Sequence, residues 1–216
     1  QHLRNALDSQ ITYAEMEVSS QALKYHRVDG MRFDVGIFLN ISEDHISPIE
    51  HEDFEDYFSS KMLMFAQTDT AVVNLDADHI ERILEEAKAA KACVTFSLKN
   101  PEADYYGYNI RKDGHETTFS VKSKDFDEEF VLTMPGLFNV ENALGVIAAA
   151  SALQIPREYI HSGLKRARSS GRMELYASKD KNVIDIVDYA HNKLSFEKLF
   201  SSMKEEYPDY GIVSIF

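Results

Sequence analysis

An asparagine, a serine, two carboxylates and a histidine follow one another in Asn40-Ile41-Ser42-Glu43-Asp44-His45, directly after the apolar pair Phe38-Leu39. Further along comes Lys61, in Ser59-Ser60-Lys61-Met62-Leu63, on a stretch with helical spacing. Upstream, Tyr13-Ala14-Glu15-Met16-Glu17-Val18-Ser19-Ser20 reads as a second apolar strand that ends in a carboxylate and two hydroxyls. Oxygen ligands, an imidazole and a lysine gathered at strand ends suggest a magnesium and phosphate site. Hard cations prefer oxygen, and open α/β sheets bind ligands beyond the carboxyl ends of their strands.

Such side chains need a frame that brings distant segments together. Short apolar runs at residues 11–18, 33–39, 71–75 and 93–98 alternate with helical patterns at 43–66 and 77–91. That alternation predicts a parallel sheet covered by helices. The rhythm then changes. Residues 104–111, 116–121 and 129–133 alternate polar and apolar, and Arg111-Lys112-Asp113-Gly114-His115 reads as a hairpin turn, which together predict a small antiparallel meander. After Met134-Pro135-Gly136, the positions of Ala143, Ile147, Ala148 and Ala150 predict a long helix starting near Asn139, with small residues that permit close packing on a sheet. Pro156 opens another helix, with Ile160, Leu164 and Ala167. Ser169-Ser170-Gly171-Arg172 reads as a hinge. Strand-like residues 173–177 and 183–187, a helix at 194–206 and a final strand at 211–216 then begin a fresh β-α-β unit.

A chain of 216 residues, 44% apolar and 27% charged, can bury one good core and the start of a second. No apolar run approaches the roughly 20 residues that span a bilayer, and the N-terminus lacks the basic-then-apolar layout of a signal peptide. A formal charge of −13 excludes a nucleic-acid groove built on bulk positive potential, but not a phosphorylated small molecule held by local charges. The single cysteine, Cys93, cannot form an internal disulfide and reads as buried strand filler, in keeping with a reducing, cytoplasmic setting. His51, flanked by Glu50, Glu52 and Asp53, reads as a solvated residue at a helix start. Asp125, Asp127, Glu128 and Glu129 read as a charged loop. The chain opens inside a helical pattern and closes on an uncapped apolar run, which gives the expectation of a segment cut from a longer protein at both ends.

Several motifs stand in a telling order: Met16-Glu17-Val18-Ser19-Ser20-Gln21-Ala22-Leu23, His26-Arg27-Val28, Asn40 to His45, the helix around Lys61, and Val73-Asn74-Leu75-Asp76. Pro135-Gly136-Leu137-Phe138-Asn139-Val140-Glu141-Asn142-Ala143-Leu144, Gly171-Arg172-Met173-Glu174 and Val187-Asp188-Tyr189-Ala190-His191 follow. In these the chain resembles the Mur ligase family, in particular its tripeptide-synthetase branch. The resemblance implies an α/β fold: a mostly parallel P-loop-type ATPase sheet flanked by helices, with a small antiparallel meander, followed by the start of a Rossmann-like domain. Residues 1–172 would be the central ATPase domain without its P-loop, and 173–216 the truncated beginning of the C-terminal domain. The implied activity is ATP-dependent ligation of an amino acid to a UDP-N-acetylmuramoyl peptide through an acyl phosphate, in peptidoglycan precursor synthesis. ATP and Mg²⁺ would be the cofactors. The implied enzyme is cytoplasmic and monomeric, with no nucleic-acid or membrane partner.

By the same resemblance, Glu17, His45 and Lys61 are the catalytic and metal-binding set, with Lys61 carried as a carbamate. Ser19, Tyr25 and Arg27 align with positions that hold the UDP-sugar substrate. Asn142 and Arg172 match adenine contacts, and Asp188 and His191 match residues that reach the ribose and phosphates. Tyr25 stands where Gln is usual, Gln21 where His is usual, and Asn192-Lys193 where Thr-Pro is usual. None of the nine glycines belongs to a Gly-x-x-x-x-Gly-Lys-Ser/Thr cradle, so residues 1–216 alone are expected to be inactive. Two other readings stay open: a ligase of the folylpolyglutamate or cyanophycin synthetase kind, and a non-catalytic relative that serves as a binding subunit.

Overall fold

The computed structural model of the chain describes residues 2–42, 46–113, 116–180 and 182–215. Six strands form one sheet in sequence order: β1 (Phe33–Phe38), β2 (Thr68–Asn74), β3 (Ala92–Ser97), β4 (Tyr105–Asp113), β5 (Glu116–Lys122) and β6 (Asp127–Leu132). β1 to β4 pair in parallel, and β4 to β6 form the expected antiparallel meander. Helices α1 (His2–Asp8) and α2 (Ser20–Lys24) precede the sheet; α3 (Phe54–Ala66) and α4 (Ile80–Ala87) make its crossovers. α5 (Leu137–Ala152) and α6 (Arg157–Arg166) follow it. A separate antiparallel pair, β7 (Glu174–Ala177) and β8 (Ile184–Val187), leads into α7 (Lys193–Glu206).

β2 explains the layering. Ala71, Val72 and Val73 are all fully buried, because successive strand residues point to opposite faces and both faces are covered. Ala71 and Val73 join Phe38, Phe58, Met62, Phe65 and Ile83 beneath α3 and α4. Val72 joins Phe96, Phe119, Phe130, Leu144, Ile147 and Leu164 beneath α5 and α6. Each large side chain so withdrawn from water contributes about 1.5–3 kcal/mol. α5 comes especially close to the sheet. A Cβ on Gly145 would lie 3.0 Å from Phe96 Cζ and 3.3 Å from Leu39 Cδ2.

β3 and β4 are linked by only a short loop, although parallel neighbours ordinarily need a crossover of a dozen residues or more. Their register resolves this: just the last two residues of β3 pair with the first two of β4, Phe96 with Tyr105 and Ser97 with Tyr106. The chain has little distance to return, and the meander extends past the end of β3.

Five local expectations are corrected. Residues 11–18 form no strand; Ile11, Tyr13 and Met16 are exposed, so the alternation faces no core and finds no ladder partner among the described residues. Residues 211–215 likewise stay irregular, with Val213 and Ile215 exposed. The helical pattern at 43–66 begins only at Phe54. Pro48 lies in a tight loop closed by an Ile46–His51 bridge, and Asp53 then caps the helix by accepting from Asp56 N at 2.8 Å. Cys93 is exposed, because burial along β3 reaches full depth only at Phe96 and Ser97. The acidic run at 127–129 starts β6 instead of a loop, each carboxylate having a partner: Tyr108 for Asp127, Arg157 and His161 for Glu128, and Arg111 for Glu129.

Candidate functional site

The tips of the first three strands and the first turns of α5 surround a cavity of about 500 Å³, with Asn40, Asp76, Lys99, Phe138, Glu141 and Lys198 in its wall. Buried Asn74 organises its floor. Its amide donates to Leu39 O at 2.8 Å and Glu141 Oε1 at 2.6 Å, and its carbonyl oxygen accepts from Asp76 N at 2.9 Å. Asp76 in turn accepts from Ser97 Oγ at 2.6 Å and Leu98 N at 2.7 Å. Two side chains therefore fasten three strand ends and a helix with every polar group paired, as burial demands. Lys198, from α7, completes the wall by facing Glu141 at 3.6 Å. Sequence reasoning did not assign roles to Asn74, Asp76, Glu141 or Lys198; the polar Asn-Leu-Asp step ending an apolar strand was the available signal.

Lys61 reaches this region for a helical reason. Side chains on a helix lean towards its N-terminus. The N-terminus of a crossover helix lies at the carboxyl end of the strand before it. Lys61 Nζ accordingly donates to Asn40 O at 3.4 Å and to Tyr57 OH, one turn back, at 3.2 Å. It also lies over the rings of Phe38 and Tyr57, at 5.6 and 5.2 Å from their centroids. A carbonyl, a hydroxyl and two ring faces suit an ammonium.

Glu17 is exposed in the irregular segment before α2 and has no hydrogen-bond partner among the described residues, which leaves both oxygens available to a hard cation. Ser19 caps α2, its Oγ accepting from Ala22 N at 3.1 Å while its own proton remains available. Tyr25 and Arg27 are exposed at the other end of α2, the guanidinium 5.7 Å from the ring centre. His45 lies outside the described residues. Among the described residues, no three His, Cys, Asp or Glu side chains gather closely enough to hold a metal.

His51 corrects its expectation most sharply: it is fully buried, not solvated. Its Nε2 meets Ser20 Oγ at 2.8 Å and its Nδ1 meets Asp56 Oδ2 at 3.1 Å. The same carboxylate oxygen accepts from Lys24 Nζ at 2.5 Å and from Glu52 N at 3.1 Å. The Lys24 ammonium holds the Asp56 carboxyl at about 2, below the usual carboxylate range, and Lys24 is raised in return.

Three of the four expected nucleotide contacts, Arg172, Asp188 and His191, belong to one linked group. Arg172 stacks on Tyr189 at 4.9 Å, the Tyr189 and His191 rings lie 4.8 Å apart, and Asp188 accepts from Met173 N at 3.0 Å and Ala190 N at 2.8 Å. Asn142 lies half-buried on α5 and shares no hydrogen bond with that cluster. At the Asn192-Lys193 departure, Asn192 caps α7 in a capping box with Ser195.

Comparison with known proteins extends the picture. The model of the Mur ligase middle domain matches residues 1–150. A UDP-N-acetylmuramoyl-L-alanyl-D-glutamate–L-lysine ligase of Streptococcus agalactiae is 37% identical over 206 residues, covering 94% of this chain and 40% of its own length. A UDP-N-acetylmuramoyl-L-alanyl-D-glutamate–2,6-diaminopimelate ligase of Clostridium perfringens is 35% identical, covering 93% and 42%. A solved structure of a ligase with the latter name superimposes with a TM-score of 0.78 at 26% identity, over 94% of this chain and 43% of that one. The chain thus spans about 40% of the length of the curated relatives it matches.

Proposed function

This chain belongs to the Mur ligase family, and from that premise we propose that the protein is an ATP-dependent carbon–nitrogen ligase that adds an amino acid to a UDP-N-acetylmuramoyl peptide. The observation that carries the reading is the Lys61 amine beside the carbonyl of Asn40, a residue that lines a cavity of about 500 Å³ at the carboxyl ends of parallel strands. Relatives named for L-lysine and for 2,6-diaminopimelate match at nearly equal identity, so the matched segment carries the chemistry the two share.

The reaction must unite two anions, a peptide carboxylate and the terminal phosphate of ATP. Neutralising their repulsion is therefore the main catalytic need. The carboxylate, once phosphorylated, acquires a good leaving group, and the incoming amine displaces phosphate to form the amide. Residues 1–172 form the central nucleotide-handling domain in this reading, and residues 173–216 open the next. Ser19, Tyr25 and Arg27 hold the UDP-sugar, Ser19 by its free proton and Arg27 by a forked grip on an anion. Asn142 and Arg172 contact adenine; Asp188 and His191 contact the ribose and phosphates.

Mg²⁺, when bound, supplies positive charge to the phosphate oxygens, and Glu17, His45 and Lys61 would hold it. The open Glu17 carboxylate fits a hard cation that keeps part of its water. Lys61 as a carbamate would present an oxygen donor, since carbon dioxide added to the neutral amine exchanges a cation for an anion. The enzyme is further read as cytoplasmic and monomeric, with no nucleic acid or membrane as partner.

The test is ADP release and amide product from UDP-N-acetylmuramoyl-L-alanyl-D-glutamate, measured on the full-length protein with ATP and either L-lysine or diaminopimelate. No turnover above the ATP-only background with both amino acids would sink the reading. Lys61→Ala should lower turnover by about 10²–10³-fold, with partial recovery when short-chain carboxylic acids are added. Unchanged turnover would rule the lysine out.

A further inference from the structure

A fully buried imidazole needs both ring nitrogens paired, and His51 meets that need with Ser20 on one side and Asp56 on the other. Asp56 only accepts, so in the neutral ring Nδ1–H donates to it and Nε2 accepts the Ser20 hydroxyl proton. This is the connectivity of a hydrolytic triad without its chemistry. Lys24 already neutralises Asp56 at 2.5 Å, and Ser20 is buried on the inner side of α2 with no opening to a substrate.

The network acts as a clamp between two short pieces of structure. Ser20 and Lys24, one turn apart on α2, grip His51 and Asp56 at the start of α3. Lys24 Nζ adds a bond to Glu50 O at 3.2 Å. On the solvent side of α2 stand Ser19, Tyr25 and Arg27. On α3, the Tyr57 ring lies 5.2 Å from His51, and its hydroxyl accepts from Lys61. One contiguous path therefore joins α2, whose two ends are proposed to meet the sugar nucleotide, to the lysine proposed to serve phosphoryl transfer.

We propose that His51 is a positioning residue that sets the register of α2, and with it the muramyl peptide, against Lys61 on α3. The proposal deepens the ligase reading and rests on it. A clamp that orients one substrate affects that substrate alone. His51→Phe keeps a ring but removes both hydrogen bonds, and should raise KM for the UDP-muramyl peptide about tenfold and lower kcat with it, while KM for ATP stays within about twofold. His51→Gln, whose amide can reach Ser20, should recover most of that loss. A merely structural residue would behave differently, lowering kcat through a smaller active fraction at unchanged KM, with Gln no better than Phe.

The experiment uses the full-length protein and measures amide-proton exchange across α2 alongside the kinetics. If His51→Phe does not fold, Ser20→Ala carries the same comparison, since it deletes one hydroxyl. Selective KM loss with faster exchange of the 22–25 amides supports the clamp; unchanged KM for the muramyl peptide in a folded variant overturns it. A wild-type protein with no ligase turnover would defeat the ligase reading instead. The clamp would then stand or fall on exchange, and unaltered protection of α2 in both variants would refute it.

Discussion

Asp56 holds the start of α3 through a single oxygen that accepts from an ammonium, an imidazole and a backbone amide. The consequence for pH has a definite sign. Its folded pKa, about 2, lies below the ordinary value of about 3.9. The pair's contribution is therefore full above the ordinary value and is lost as pH falls through about 4 towards about 2. The urea midpoint of Lys24→Met should lie below that of wild type near neutral pH, and the gap should close on acidification across that window. Added salt should narrow it too, because the pair is partly exposed. A gap that stays constant from neutrality to acid would exclude the pair as its source. The same cluster shows what was not legible in the sequence. Around His51, Glu50, Glu52 and Asp53 suggested a solvated helix start, whereas its partner Ser20 and the Lys24 that completes the network lie far upstream and leave no local pattern. The approach of the Lys61 amine to Asn40, just past the end of β1, was legible because a helix-borne lysine downstream of a strand has one direction in which to lean.

Elements were legible where both partners of a packing contact carried the pattern. The apolar run in β2, the small-residue face of α5 and the alternation of β5 each met a matching surface. Residues 11–18 and 211–215 show the opposite case. They have strand-like composition, yet a strand is completed by a neighbour's ladder, and none pairs with them among the described residues. Gly145 tests how α5 is seated. Its absent side chain lets the helix approach Phe96 and Leu39, so Gly145→Val should overpack the layer and lower stability by about 1–3 kcal/mol. Thermal or urea unfolding checks this, and a variant as stable as wild type would show that α5 can shift without cost.

At the scale of the whole molecule, α7 reaches across to the six-stranded sheet's layer, with Lys198 facing Glu141 and Glu206 pairing with Lys112. The cavity thereby gains a wall, but not a phosphate cradle, since the sequence holds no Gly-x-x-x-x-Gly-Lys-Ser/Thr. Calorimetry of residues 1–216 with Mg-ATP should accordingly show no micromolar site, and micromolar binding would mean that the cradle is dispensable. The two-pair seam between β3 and β4 bears on how such a cavity would respond to load. So short a zip transmits little force through backbone bonds, while α5 touches strands on both sides of it. The helix is thus a splint across the seam, bracing both halves of the sheet and carrying the Glu141 that bonds Asn74.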